Sequence, residues 1–335
     1  MTTKSRIPLI DFDEVGSGKA IAMARAAKQV FDACNAVGFF YIYNHGVPRA
    51  LMESALELAR QFFAHSVEVK RQVSANRIHR GFHAMGDALM YGAKKPDLKE
   101  FYSIGLDLAA DHPSVLSGEP LRGPNNWPTF MPQLKEGLYP YHEAVGACGA
   151  RLLQVVALSL GLAEDFFSRR YTLPLQRTQM IYYPPQPLDL GRDQFGVAPH
   201  TDYGCITLLY QDGSGGLQVK DRSSQDWIDA DPIDGTFVVN VGDLLARWSN
   251  DRFTSTPHRV INKSGHERYS IATFYDPDFA TVVDPTDMGS SQADCRYEPV
   301  TAGRHILNRF DQSFGYRRKY REPGSGSPVT TEAPP

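Results

Sequence analysis

The chain has 335 residues, a formal net charge of −3 and 42% hydrophobic residues, enough to fill a core and too many for a wholly disordered chain. The near-neutral balance and the lack of a basic run exclude a partner bound mainly through phosphate, so no nucleic-acid partner is expected. The opening MTTKSRIPLIDFDE has no apolar leader, the most apolar window (Leu152 to Leu162) is too short for a bilayer, and Cys34, Cys148, Cys205 and Cys295 form no CxxC; together these predict a cytoplasmic protein with no membrane span and no thiolate zinc.

A first helix is expected from about Ser17 to Val37, with Met23, Ala27, Val30, Phe31 and Cys34 on one face and Gly38 as its cap. FFYIYNHGVP reads as a short strand ending at Gly46, after which Pro48 opens a second helix. Residues 74–130 read as irregular, and a loop region of that length is more often functional than idle. A further helix is predicted through Leu138, Tyr141, Val145, Cys148, Leu152 and Val155, with Pro140 ending or kinking its first turn. From about Arg177 the texture becomes short β-rich runs between turn residues: TQMIYY, CITLLYQ, LQVKD, TFVVNVG, HRVIN and YSIATFY. That pattern predicts a sandwich or barrel. The Pro/Gly/Ser/Thr-rich segment Glu322 to Pro335 is expected to be disordered. The reading is therefore a helical and irregular part (1–130), a β-core with a supporting helix (131–321) and a tail (322–335), the first two packed as one unit.

Within VAPHTDYGCITLLYQD, His200 and Asp202 stand two apart next to a strand, where i and i+2 share a face. One such pair is weak evidence for a metal. His258, beside Pro257 and ahead of β-residues, completes a two-histidine, one-carboxylate set of the kind that binds non-haem Fe(II) and leaves coordination positions open. Arg268 and Ser270 follow, also two apart in a β-run, and offer a guanidinium fork and a hydroxyl to a carboxylate. Tyr183, at the end of another run, offers a hydroxyl to the same group. Asn240 and Asp243 in NVGDLL read as turn and strand-end groups. His79 and His83 are four apart but have no acidic partner, and are not read as a second metal site.

With IPLIDF, VGFFYIYNHGV, KEFY, NNWP, YYPP, HTDYGCITLL, GGLQV, VVNVGDLLARWSNDRFTSTPHRV and RYSIATFYDP, the chain resembles the isopenicillin N synthase-like branch of Fe(II)/2-oxoglutarate-dependent dioxygenases along nearly its whole length. The resemblance implies a mainly β fold with flanking α, a distorted double-stranded β-helix (jelly-roll) core with an N-terminal helical region. It implies His200, Asp202 and His258 as iron ligands, and Arg268 and Ser270, assisted by Tyr183, as the clamp on the distal carboxylate of 2-oxoglutarate. Fe(II), 2-oxoglutarate and O2 are then the implied cofactors and co-substrates, with ascorbate as candidate reductant. The implied reaction couples oxidative decarboxylation of 2-oxoglutarate to C–H oxidation, typically hydroxylation, of a small organic molecule. Phe274, Arg80 and Phe82 are implied as substrate contacts, and His45 in NHGV as a turn residue. Ile181 stands where several plant members carry an asparagine near the co-substrate.

Three other readings stay open at this stage. Members that do not use 2-oxoglutarate, oxidases or ring-forming synthases, also keep the Arg-x-Ser pair. A zinc hydrolase would use the same three ligands but leave the clamp unexplained. A sensor module would keep the fold without turnover. Neither the substrate nor the oligomeric state is legible.

Overall fold

The structure, a computed structural model, describes residues 7–13, 15, 19–90, 93–186, 193–262 and 264–320. The segment 322–335, expected to be disordered, lies outside the described residues.

Helix α1 (Ala20–Ala36) buries Met23, Ala27, Val30 and Cys34, the stripe expected from the sequence. It stops at Gly38, where the backbone turns to φ +74 and an added Cβ would run into the Thr254 carbonyl oxygen. Only glycine meets both conditions. Strand β1 (Leu9–Asp11) pairs in parallel with β2 (Phe39–Tyr43). Helix α2 (Arg49–Ala64) has Pro48 as its N-cap and is followed by the short α3 (Val67–Lys70).

The region read as irregular contains β3 (Gly81–His83), the six-residue β4 (Glu100–Gly105) and the short α4 (Pro113–Leu116). Every residue of β4 is buried, so its sequence shows no alternation between apolar and polar faces. Its acid, Glu100, is neutralised by Lys70, 2.5 Å away. Helix α5 (Gln133–Ser159) continues through Pro140, contrary to the expected break. Its buried face, including Leu134, Leu138, Tyr141, Val145 and Leu152, packs against α1, α2 and the sheet, and that burial outweighs the lost hydrogen bond.

The β-runs predicted after Arg177 appear as β5 (Arg177–Tyr183), β7 (Ile206–Gln211), β8 (Leu217–Lys220), β10 (Phe237–Val241), β11 (His258–Val260) and β12 (Arg268–Tyr275). With β6 (Val197–His200) and β9 (Trp227–Asp229) they form two sheets. The larger is ordered β1-β2-β10-β7-β12-β5-β4-β3 and the smaller β6-β11-β8-β9. This is a double-stranded β-helix core. Strands from both sides of residue 130 share the larger sheet. Helices α2 and α5 cover its outer face. The remaining elements are α6 (Asp243–Trp248), the β13 (Val282–Val283) and β14 (Val300–Thr301) ribbon, and α7 (Ala302–Ser313). No helix of the described residues is long and apolar enough to cross a membrane.

Candidate active site

His200 and His258 face one another across the smaller sheet, where β6 and β11 pair at that position. Their ring centroids lie 4.3 Å apart. Asp202 sits beyond the end of β6, in the turn that leads to β7. This corrects the expectation that one strand aims both ligands at a common face: His200 ends a strand and Asp202 belongs to the crossing between sheets. The turn is set by Gly204, where a Cβ would collide with Asp276 Oδ1. Asp202 Oδ1 lies 3.7 Å from His200 Nε2 and 3.7 Å from His258 Nε2. Among the described residues this is the group of three or more ligand-type side chains that converges, with ligand atoms within 4.8 Å of one another.

The donors suit a metal. His200 Nδ1 lies 2.8 Å from the Ala198 carbonyl oxygen and His258 Nδ1 lies 3.2 Å from that of Thr256. A carbonyl oxygen only accepts, so both Nδ1 atoms carry the proton and both Nε2 lone pairs face inward. Burial, reinforced by His258, pulls the His200 pKa down to about 3, so its imidazole stays neutral. Burial opposes ionisation of Asp202, but His258, His200 and hydrogen bonds from Thr207 and Asn240 together hold its carboxyl below the usual carboxylate range. Thr207 Oγ1 and Asn240 Nδ2 donate to Oδ2 at 2.5 and 2.8 Å, turning Oδ1 toward the histidines. Two imidazoles and one carboxylate on one side are the donor set of a non-haem Fe(II) site.

Asn240 therefore corrects its sequence reading. It lies inside β10, opposite Thr207, and orients Asp202 rather than serving a turn. Asp243 begins α6 and pairs with Arg309 at 3.0 Å, while its backbone N–H donates to the Asp202 carbonyl at 2.7 Å. His45 holds a turn as expected, through the Val47 N–H at 3.2 Å.

Across the cavity, on the inner face of the larger sheet, Arg268 and Ser270 lie side by side on β12. Arg268 is 1% exposed. Its guanidinium donates to the Gly215 carbonyl at 2.6 Å, Gln211 Oε1 at 2.9 Å and Ser270 Oγ at 3.2 Å. Its Cζ stands 4.6 Å from the centre of the Tyr183 ring. Among the described residues no carboxylate pairs with it, so a full charge is buried where an anionic ligand would offset it. Ile181, the register partner of Ser270, adds no polar group.

Phe274 also lies on this face, 4.8 Å from the Arg177 guanidinium. Arg80 lies over Gly105 on the same face. Phe82 does not join them. It packs on Phe62 of α2, with ring centroids 6.1 Å apart, and on the opposite side of the sheet it fills core. The His79 and His83 rings stand 4.7 Å apart and stack on Phe310 and Phe101. A surface groove of about 940 Å³ between α1 and α5, lined by Met23, Phe31 and Leu158 among others, lies away from all these groups.

A double-stranded β-helix with an inward His-Asp-His group defines the class of 2-oxoglutarate/Fe(II) oxygenases. Residues 7–130 match the model described as the non-haem dioxygenase in morphine synthesis N-terminal region, and residues 174–277 that of the 2OG-Fe(II) oxygenase superfamily. The 2-oxoglutarate-Fe(II) type oxidoreductase hxnY of Emericella nidulans is 36% identical over 326 residues, covering 94% of this chain and 92% of that protein. Homoarginine-6-hydroxylase 2-ODD-C23 of Glycine max is 31% identical over 330 residues, covering 93% and 98%. A full-length Neurospora crassa protein, solved in complex with alpha-KG, superposes with a TM-score of 0.80 at 30% identity, covering 91% of this chain and 96% of that one. The same Neurospora protein is also solved with alpha-KG and thymine. The chain belongs to the Fe(II)/2-oxoglutarate-dependent dioxygenase family. It is an enzyme whose cofactors are Fe(II), 2-oxoglutarate and O2. The oxidase, hydrolase and sensor readings are not favoured.

Proposed function

We propose that His200, Asp202 and His258 hold the Fe(II), that Arg268 and Ser270 hold the distal carboxylate of 2-oxoglutarate beside Tyr183, and that the substrate leaves hydroxylated. The observation that carries this reading is the pairing of two features. Three ligand atoms converge, and a buried guanidinium that pairs with no acid among the described residues lies on the same sheet face as Thr207, which holds Asp202. Bound together, Fe(II) and 2-oxoglutarate supply O2 activation, with 2-oxoglutarate leaving as succinate and CO2. The protein's part is positioning. The Ala198 and Thr256 carbonyls keep Nε2 of each histidine free of its proton, and Thr207 and Asn240 hold Asp202 in one rotamer. Gln211 and Gly215 fix the fork of Arg268, so that its remaining edge meets a carboxylate without reorganising. The partly buried rings of Phe274 and Tyr203 pack against the core beside the site. The near-neutral charge supports a small-molecule substrate rather than a nucleic acid, and the unpaired cysteines support a cytoplasmic location.

The test is succinate release from 2-oxoglutarate by iron-loaded protein. His200→Ala and Asp202→Ala are expected to abolish it. Succinate formation at the wild-type rate in either variant overturns the ligand assignment.

A further inference from the structure

On the inner face of the larger sheet, four residues stand abreast: Thr207 on β7, Phe274 on β12, Arg177 on β5 and Gly105 on β4. Gly105 is thus three strand spacings, roughly 14 Å, from Thr207, the residue that holds Asp202. Arg177 lies between the Phe274 and Phe310 rings at 4.8 and 4.7 Å and pairs with Asp276 at 3.0 Å. Arg80 lies flat over Gly105, its guanidinium occupying the place a Cβ would take, so only glycine admits it there.

Arg80 is 2% exposed. One of its nitrogens donates to the Leu121 carbonyl at 3.2 Å, while Nε and the other terminal nitrogen have no partner among the described residues. Neither nearby acid is free for it. Asp276 is taken by Arg177, and Asp107 accepts from the Asn125 N–H at 2.8 Å, Trp127 Nε1 at 2.9 Å and Lys135 Nζ at 3.1 Å. Ser103 Oγ and both ring nitrogens of His83, on the neighbouring strands of this face, are also buried without partners. A guanidinium buried in this way is costly unless an anion meets it. Among the described residues no carboxylate pairs directly with Arg80, which matches a monoanion. Between Arg80 and Thr207 stand Arg177, already paired with Asp276, and the Phe274 ring, which matches an apolar body.

We infer that the substrate is an organic monocarboxylic acid whose carboxylate binds Arg80, beside Arg177, while its opposite end lies at the His200–Asp202–His258 centre. The inference rests on the oxygenase reading above. It gives two buried arginines different ligands, with Arg268 taking the carboxylate of the co-substrate and Arg80 that of the substrate.

The test uses the full-length protein, anaerobic, loaded with Fe(II) and 2-oxoglutarate. It is titrated with arylalkanoic acids from benzoate to 4-phenylbutanoate and with their primary amides, reading the metal-to-ligand charge-transfer band. At least one acid is expected to shift the band at a concentration about tenfold or more below that of its amide. Arg80→Gln is expected to erase that preference, and Arg80→Lys to retain part of it. Acids that act no better than amides, or that leave a well-formed band unmoved, overturn the inference alone. Retention of the preference in Arg80→Gln does the same. Absence of the band in wild-type protein sinks the oxygenase reading and takes this inference with it. If Arg80→Gln fails to fold, the acid-against-amide comparison in the wild type decides by itself.

Discussion

Replacing Asn240 with leucine removes the amide that donates to Asp202 Oδ2 at 2.8 Å and leaves the Thr207 hydroxyl, at 2.5 Å, as the remaining side-chain donor. The side chain is 3% exposed and leucine is of similar size, so the strand between β2 and β7 is not hollowed. A buried hydrogen bond to a charged acceptor is worth about 1.5–3 kcal/mol. At about 1.4 kcal/mol per factor of ten, the carboxylate's grip on the metal should weaken roughly 10- to 100-fold, the range typical of groups that orient metal ligands. The assay is anaerobic Fe(II) titration at fixed 2-oxoglutarate, with the urea midpoint measured in parallel to separate lost affinity from lost fold. Thr207→Val is the companion, with a shift of similar size and direction. A folded Asn240→Leu protein that half-saturates within about twofold of wild type would refute the claim that this amide orients Asp202.

Three further outcomes are expected. Arg268→Met should raise the 2-oxoglutarate concentration for half-maximal succinate release by about 100-fold, since a charge-assisted fork is lost; an unchanged requirement points to another clamp. Lys70→Met strands Glu100, whose side chain is 6% exposed, and should cost about 3–5 kcal/mol in denaturant unfolding, whereas a loss under about 1 kcal/mol would show that water compensates the acid. Burial depresses His83 and His142 to about 3. Their unfolded-state value is about 6.5, so between those limits the unfolded chain binds protons that the folded chain refuses. Stability is therefore full above about pH 6.5 and falls as pH drops toward 3, by up to about 1.4 kcal/mol per pH unit for each imidazole. A His83→Phe variant should fall less steeply in urea titrations across that window, and an unchanged slope would be contrary evidence.

The His200–Asp202–His258 group and the Arg268-x-Ser270 pair are legible in the sequence because each combines residue types with few other uses at such spacing. The helix stripe of α1 and the β-runs after Arg177 are legible because amphipathic and β-rich patterns are local. Strands β3 and β4 are not, because β4 is buried on both faces and its acid is neutralised by Lys70 from another element. Without that strand nothing fixes which way Phe82 points, and the resemblance assigns to the pocket a side chain that belongs to the core against Phe62. Asn240 reads as a turn residue because its partner is defined only by the register of β10 on β7. Pro140 reads as a helix end because propensity is local, while the apolar contacts that carry α5 past it come from α1, α2 and the sheet.

By itself, the sequence determined the inventory of chemistry: two histidines, a carboxylate, a guanidinium with its serine, and a β-rich segment able to carry them. Those choices are written in residue type and short-range spacing. The tertiary structure alone decided that Asp202 is aimed by Thr207 and Asn240, and that Arg80 lies buried over Gly105 with no acid paired to it among the described residues. The physical reason is that hydrogen-bond partnership and charge compensation depend on strand register and sheet packing, which join residues that no local pattern connects.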